Sequence, residues 1–178
     1  MTPAWYMKFH EGQDINSLDR VGGLPTHLLE EWPTLDGEPM VFIAQFSCHA
    51  ERLPFSDTLA IQIYQEDPDN GCSEPYIYRM PLDAPKNAGG IGHAYEGPVP
   101  HAITWEYRED PEAFDFDADD WERQFESKPW GCPTFPDILE NGQRFFMHLN
   151  EEPAGLNFGG DELLLAIDSD ENVIWTGA

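Results

Sequence analysis

Residues 40–46 read Met-Val-Phe-Ile-Ala-Gln-Phe, and residues 59–64 read Leu-Ala-Ile-Gln-Ile-Tyr. The first run is apolar almost throughout, which is typical of a strand buried on both faces, and the second alternates as a half-buried strand does. Similar runs follow at 144–149 (Arg-Phe-Phe-Met-His-Leu) and 163–167 (Leu-Leu-Leu-Ala-Ile), each 104 residues after its counterpart. We therefore predict a duplicated unit of two strands, since self-similarity at a fixed offset indicates an internal repeat.

A short motif precedes each unit: Gly-Leu-Pro-Thr at 23–26 and Gly-Cys-Pro-Thr at 131–134. The glycine permits a positive φ and the proline fixes its own φ, so the motif most simply serves backbone geometry. We expect further strands in four places: 3–10, 76–80, 101–107 and 172–175.

The predicted fold is α+β, with mostly antiparallel strands, few short helices and two pseudo-symmetric half-domains that share one core. A single domain would cover residues 1–178, with repeat one at about 20–80, repeat two at about 128–175 and an acidic helical connector at 108–127.

The charge is extreme, because 34 acids face 9 bases and give a net charge of −25. Such a field repels nucleic acids and membrane surfaces, and it accelerates encounters with basic proteins. No run approaches the roughly 20 apolar residues of a membrane span, and the N-terminus does not resemble a secretory signal. Three dispersed cysteines fit a reducing compartment, so we expect a cytoplasmic protein. Solubility or adaptation to high salt would explain the acids equally well.

The densest acidic stretch is 109–126, with nine acids and one arginine. Ala118, Trp121 and Phe125 are spaced as on one face of a helix, which predicts a helix over 117–127. This stretch could form a negative strip that meets a basic partner, with Trp121 or Phe125 as an anchor. It could also form a solvated amphipathic helix. The spacing favours a core position for the two aromatics and leaves both interpretations of the acids open.

Metal and catalytic motifs are weak. Asp115, Asp117, Asp119 and Glu126 match ligand positions of an EF-hand loop, but Asp120 stands where the sharp turn needs glycine. The cysteines and histidines lack the close spacing of zinc sites. Residues 89–93 are glycine-rich without opening a helix after a strand, and no hydrolase or nucleotide fingerprint occurs. We therefore predict no metal, no cofactor and no catalytic residue.

The segments Gly22-Gly23-Leu24-Pro25, Trp32-Pro33 and Gly37-Glu38-Pro39-Met40 resemble the opening signature of the YwqG-like bacterial family, and the segment from Leu164 to Glu171 is similar to another recurring stretch of it. The resemblance implies a duplicated, largely antiparallel α+β domain. Members recur near polymorphic toxin genes, which implies that some are immunity proteins. It carries over no catalytic residue.

Together these observations favour a non-enzymatic, cytoplasmic immunity protein that occludes the active site of a cognate, basic protein toxin. The expected contacts are acidic, with two further residues from the Gly/Pro-rich segment 81–100: Asp115, Asp117, Asp119, Asp120 and Glu122, then His93 and Tyr95. The alternative is a metal-dependent or hydrolytic enzyme that uses Asp168, Asp170 and His148, although side-chain capping of a turn also explains the two aspartates.

Overall fold

Antiparallel β-strands dominate the computed structural model, which describes residues 1–12, 16–66, 74–96, 99–119, 121–133, 136–158 and 162–176. The strands are β1 (Thr2–Glu11), β2 (Arg20–Val21), β3 (Thr34–Leu35), β4 (Glu38–Pro39), β5 (Val41–Ser47), β6 (Thr58–Gln65), β7 (Tyr76–Pro81), β8 (His101–Asp110), β9 (Lys128–Pro129), β10 (Arg144–Asn150), β11 (Glu162–Ile167) and β12 (Val173–Trp175). Three short 3-10 helices, Trp121–Phe125, Pro136–Ile138 and Glu152–Ala154, are the helical elements of the described ranges. The prediction of mostly antiparallel strands is confirmed.

Two sheets carry the fold. One has six strands in the order β1-β8-β2-β5-β6-β7 and the other four in the order β12-β11-β10-β9. Strand β1 pairs with β8 along its whole length, and its other edge faces the second sheet, where the Met7 N–H donates to the Ser127 carbonyl at 2.9 Å. An isolated bridge between Ala4 and Trp130 continues that contact. Strand β1 therefore joins the two sheets.

One hydrophobic core lies between the sheets. It includes Phe46 and Ile63 from the six-stranded sheet with Phe146 and Leu165 from the four-stranded one. A smaller cluster, built on Met40, Phe42 and Tyr64 and covered by Trp32 and Tyr78, lies outside this core. Because residues 41–46 are all buried, the prediction of a strand with two buried faces is confirmed for β5.

The two predicted repeats both contain a bulged antiparallel pair. In β5–β6, Phe42 pairs with Tyr64 and Ala44 with Ile63. In β10–β11, Phe145 pairs with Ala166 and Met147 with Leu165, so that Phe146 lies at the bulge. The paired positions do not follow the 104-residue offset, and the duplication stays a prediction.

The connector differs from its prediction. Strand β8 continues to Asp110, and the helix predicted over 117–127 is a 3-10 helix of five residues, Trp121–Phe125. The Gln124 side chain binds both the N–H and the carbonyl of Asp115, at 3.1 and 2.9 Å, and the Asp115 carboxylate accepts from the Asp117 N–H at 2.9 Å. Such bonds from side chain to backbone compete with an α-helix.

Candidate functional site

The acidic stretch forms a surface segment, residues 112–126, which we call the acidic–aromatic segment; Asp120 lies outside the described residues. It leaves the fold where β8 ends at Asp110 and returns where β9 begins at Lys128. Those two residues form an ion pair, with 2.5 Å between Lys128 Nζ and Asp110 Oδ2. The ion pair therefore holds the two ends of the segment close together.

This ion pair is buried and its polar atoms are bonded. Lys128 is 0% and Asp110 3% exposed. The Tyr6 hydroxyl donates to Asp110, and the Cys132 N–H donates to the same carboxylate at 3.0 Å. Burial lowers the pKa of Lys128, an effect that the Asp110 carboxylate opposes, and burial raises the pKa of Tyr6. Each buried charge of the cluster therefore has its partner, and the cluster connects the ends of β8 and β9 at the base of the segment.

Four aromatic rings of the segment pack on one another. The Phe114 ring lies 4.5 Å from that of Phe116 and 5.0 Å from that of Phe125, and the Trp121 ring lies 5.8 Å from each of Phe116 and Phe125. Phe116 is 69% exposed and Trp121 36%. Trp121 and Phe125 belong to neither hydrophobic core, so the prediction that they are core residues is wrong.

The carboxylates around these rings are open to solvent. Asp115, Asp117, Asp119 and Glu122 are exposed, and within the described residues no Lys or Arg side chain forms an ion pair with them. Glu126 differs, because its carboxylate lies 2.7 Å from Lys8 Nζ and 3.6 Å from the Arg108 guanidinium. Among the described residues, the ion pairs of Lys8 and Arg108 therefore lie at the base of the segment, and the four carboxylates around the rings face solvent.

A groove of about 580 Å³ runs beside the 3-10 helix. Its lining includes Trp121, Glu122 and Phe125. Lys8, Asn150 and Pro153 also line it. A lining that combines aromatic rings with carboxylates suits a long cationic side chain, since guanidinium groups stack on aromatic faces and pair with carboxylates.

The structure does not bring His93 and Tyr95 to this surface. The His93 ring lies 5.8 Å from the Trp32 ring, and its carbonyl accepts from the Phe42 N–H on β5. Tyr95 is 8% exposed and belongs to the main core, so its ring offers no accessible surface. Strands β8 and β2 separate β5 from β1, against which the acidic–aromatic segment lies.

The residues of the enzymatic alternative are also dispersed. His148 is fully buried on β10, with Nε2 against the Glu162 carboxylate, and pairs with Leu164. Asp168 follows Leu164 by four residues, so at strand spacing it lies roughly 13 Å from the position opposite His148. Its carboxylate accepts from the N–H groups of Asp170 and Asn172 at 2.8 and 2.9 Å, and these bonds lower its pKa. Capping of a turn is therefore what Asp168 does.

Among the described residues, no three His, Cys, Asp or Glu side chains are grouped to hold a metal ion. Cys48 and Cys132 are free thiols, and Cys72 lies outside the described ranges. No helix of the described part is long and apolar enough to cross a membrane.

Phe114 and Phe116 are the site residues that the sequence analysis missed. Their signal is an alternation of aromatic and acidic residues, Phe-Asp-Phe-Asp at 114–117, outside any predicted strand. Alternation of apolar and charged residues is typical of a half-buried strand, so the pattern alone does not predict that the Phe116 ring is exposed.

Comparison with protein-family models and with curated protein sequences finds no match for the chain. The resemblance to the YwqG-like family therefore stays a prediction that rests on the motifs quoted above.

Proposed function

We propose that this protein is a non-enzymatic, cytoplasmic immunity protein that binds a basic protein effector through the acidic–aromatic segment. The observation that carries the proposal is the exposure of Phe116 and Trp121 among four carboxylates that have no cationic partner in the described residues. Large exposed aromatics are typical anchors of protein interfaces, whereas an acidic surface that only confers solubility needs none.

The mechanism has two steps. The net charge of −25 steers a basic partner towards the protein, and the exposed carboxylates of the segment orient it at short range. The aromatic rings then supply the contact area that slows dissociation, with a cationic side chain of the partner in the groove beside Trp121 and Phe125. If the effector acts on a phosphodiester, the carboxylates occupy the positions of its phosphates and block the cleft.

The scaffold belongs to the same proposal. We take β5–β6 and β10–β11 as two copies of a duplicated half-domain, which agrees with their shared bulge and with the resemblance to the YwqG-like family. The acidic–aromatic segment lies between the copies and has no second version, so recognition is separate from the part that builds the core. The free thiols of Cys48 and Cys132 agree with a reducing cytoplasm.

Growth rescue tests this function. The product of the reading frame adjacent to the gene is expressed in bacteria together with the wild-type protein, with D117K/D119K/E122K, or with the control E30K/E31K/E38K, which reverses three exposed acids elsewhere. We expect rescue by the wild type and the control and loss of rescue with the first variant. Equal rescue by both triple variants would reject this surface, and a harmless neighbouring product would reject the immunity function.

A further inference from the structure

A second cavity, of about 710 Å³, lies where residues 23–27 meet residues 86–90. The first segment is the Gly-Leu-Pro-Thr motif with His27, and the second comes from the long Gly/Pro-rich connection between β7 and β8. The volume falls within the range of ordinary small-molecule sites. The acidic–aromatic segment contributes no residue to it.

The charge of the lining is opposite to that of the chain. At the average acid content of the protein, thirteen residues would include two or three carboxylates, yet none of the thirteen described lining residues is acidic. Three of them, Arg20, His27 and Lys86, carry cationic or titratable nitrogen. A chain with nine basic residues thus places two of them at one cavity.

Lys86 and His27 both line the cavity, and their backbones form an isolated antiparallel bridge that joins the two segments. Lys86 is exposed, and its ammonium makes no ion pair with any described residue. Burial and the neighbouring Lys86 ammonium lower the pKa of His27. Arg20 is 8% exposed on β2 and contributes its guanidinium to the same lining.

The walls are held in place by hydrogen bonds. Asn87 connects the two segments, since its N–H donates to the Thr26 carbonyl at 2.8 Å and its side-chain amide donates to the Pro25 carbonyl at 3.1 Å. The buried Gln45 amide donates to the Thr26 hydroxyl at 2.7 Å. Gly23 has φ of 69°, and a Cβ there would lie 3.0 Å from Pro100. The cavity is therefore preformed rather than a gap between mobile loops.

We propose that this cavity binds a small organic anion, with a phosphate or carboxylate group held by the Lys86 ammonium and the His27 imidazole. A preformed site with the Lys86 ammonium on one segment, the His27 imidazole on the other and no acidic residue in its described lining attracts such a group even on an acidic protein, because short-range contacts exceed the screened field of distant charges. The glycine-rich motif then forms part of a binding site as well as a turn.

Amide NMR titrations test this site. Inorganic phosphate, succinate and chloride are added at constant ionic strength to the wild-type protein, to Lys86→Met and to the control Arg144→Met, which removes an exposed charge from β10. We expect saturable shifts at residues 23–27 and 86–90 with phosphate or succinate but not chloride. Loss of one charge-assisted contact should weaken binding by about tenfold or more in Lys86→Met and leave Arg144→Met unchanged.

Stronger binding of phosphate than of succinate would point to a phosphorylated ligand, and stronger binding of succinate would point to a carboxylate ligand. The proposal is overturned if neither anion gives saturable shifts, if chloride gives the same shifts, or if Lys86→Met binds with the affinity of the wild type.

Discussion

At the scale of single residues, the buried pair of Lys128 and Asp110 explains how a solvent-exposed segment can have a fixed shape. The pair is shielded from solvent, and Tyr6 and the Cys132 N–H satisfy the remaining lone pairs of the carboxylate. A buried charge without a partner is strongly unfavourable, so the two strand ends can separate only if both charges regain water. The ion pair therefore fixes where the segment, with its exposed carboxylates, leaves and rejoins the fold.

Gly131 tests the close packing of that base. Its φ is 81°, and an added Cβ would overlap the Asp110 carboxylate and lie 2.7 Å from the Ala4 Cβ. Gly142 has a similar φ of 89° but open space around the same position. Both alanine variants share the cost of a left-handed residue, so G131A should lose about 1–3 kcal/mol more unfolding free energy than G142A from overpacking alone. Urea denaturation measures both, and equal losses would contradict the packing described here.

Alkaline pH should destabilise the protein through groups that burial keeps protonated. Burial raises the pKa of the Cys48 thiol from 9.0 to about 12, and it also raises the pKa values of the Tyr6 and Tyr64 phenols. In the unfolded chain these groups ionise from about pH 9 to 10 upward. Their contribution is therefore complete below about pH 9 and is lost as the pH rises, because the unfolded state then releases protons that the folded state keeps.

Urea midpoints between pH 8 and pH 11 measure this effect. The midpoint should fall with increasing pH in the wild type and fall less steeply in Cys48→Ala, which removes one of the three groups. A midpoint that does not change over this range would contradict the buried environment of these side chains.

At the scale of elements, the strands follow from the sequence, whereas the connector does not. Apolar runs and alternation identify β5, β6, β10 and β11 within one or two residues, because each of these strands buries at least one face. The same reasoning failed for 117–127. The helical spacing of Trp121 and Phe125 is real, but it serves contacts among the rings rather than with the core.

The pairing of Lys128 with Asp110 could not be predicted either. It depends on β1 lying between the two sheets, and that contact joins residues more than a hundred positions apart. Asp110 belongs to the acidic stretch 109–126, and its charge does not distinguish it from the exposed carboxylates there. Sequence patterns report which face of a strand is buried, but not which side chains of distant strands meet, as those of β8 and β9 do here.

Two phenylalanine substitutions separate the roles of the elements. Phe46 on β5 is fully buried in the core, and F46A should cost about 3–5 kcal/mol. Phe116 is exposed, and F116A should change stability by only about 0.5 kcal/mol while weakening effector binding. Thermal unfolding followed by circular dichroism distinguishes them. A large loss of stability in F116A would show that the aromatic cluster is a structural core.

At the scale of the whole molecule, one core shared by two sheets supports a strongly acidic surface. The scaffold residues are apolar and buried, the net charge of the chain is −25, and Lys8 and Arg108 form ion pairs with Glu126 at the base of the acidic–aromatic segment. Long-range charge should set the rate of encounter with a basic partner, and the exposed rings should set the lifetime of the complex.

The association rate with the effector, measured by stopped-flow fluorescence against ionic strength, tests this account most directly. For the wild type and for E30K/E31K/E38K, the rate should fall by about tenfold or more between 0.05 and 0.5 M salt. D117K/D119K/E122K should associate much more slowly at low salt and depend less on ionic strength than that control. Equal rates and equal salt dependence in the two triple variants would contradict the proposed interface.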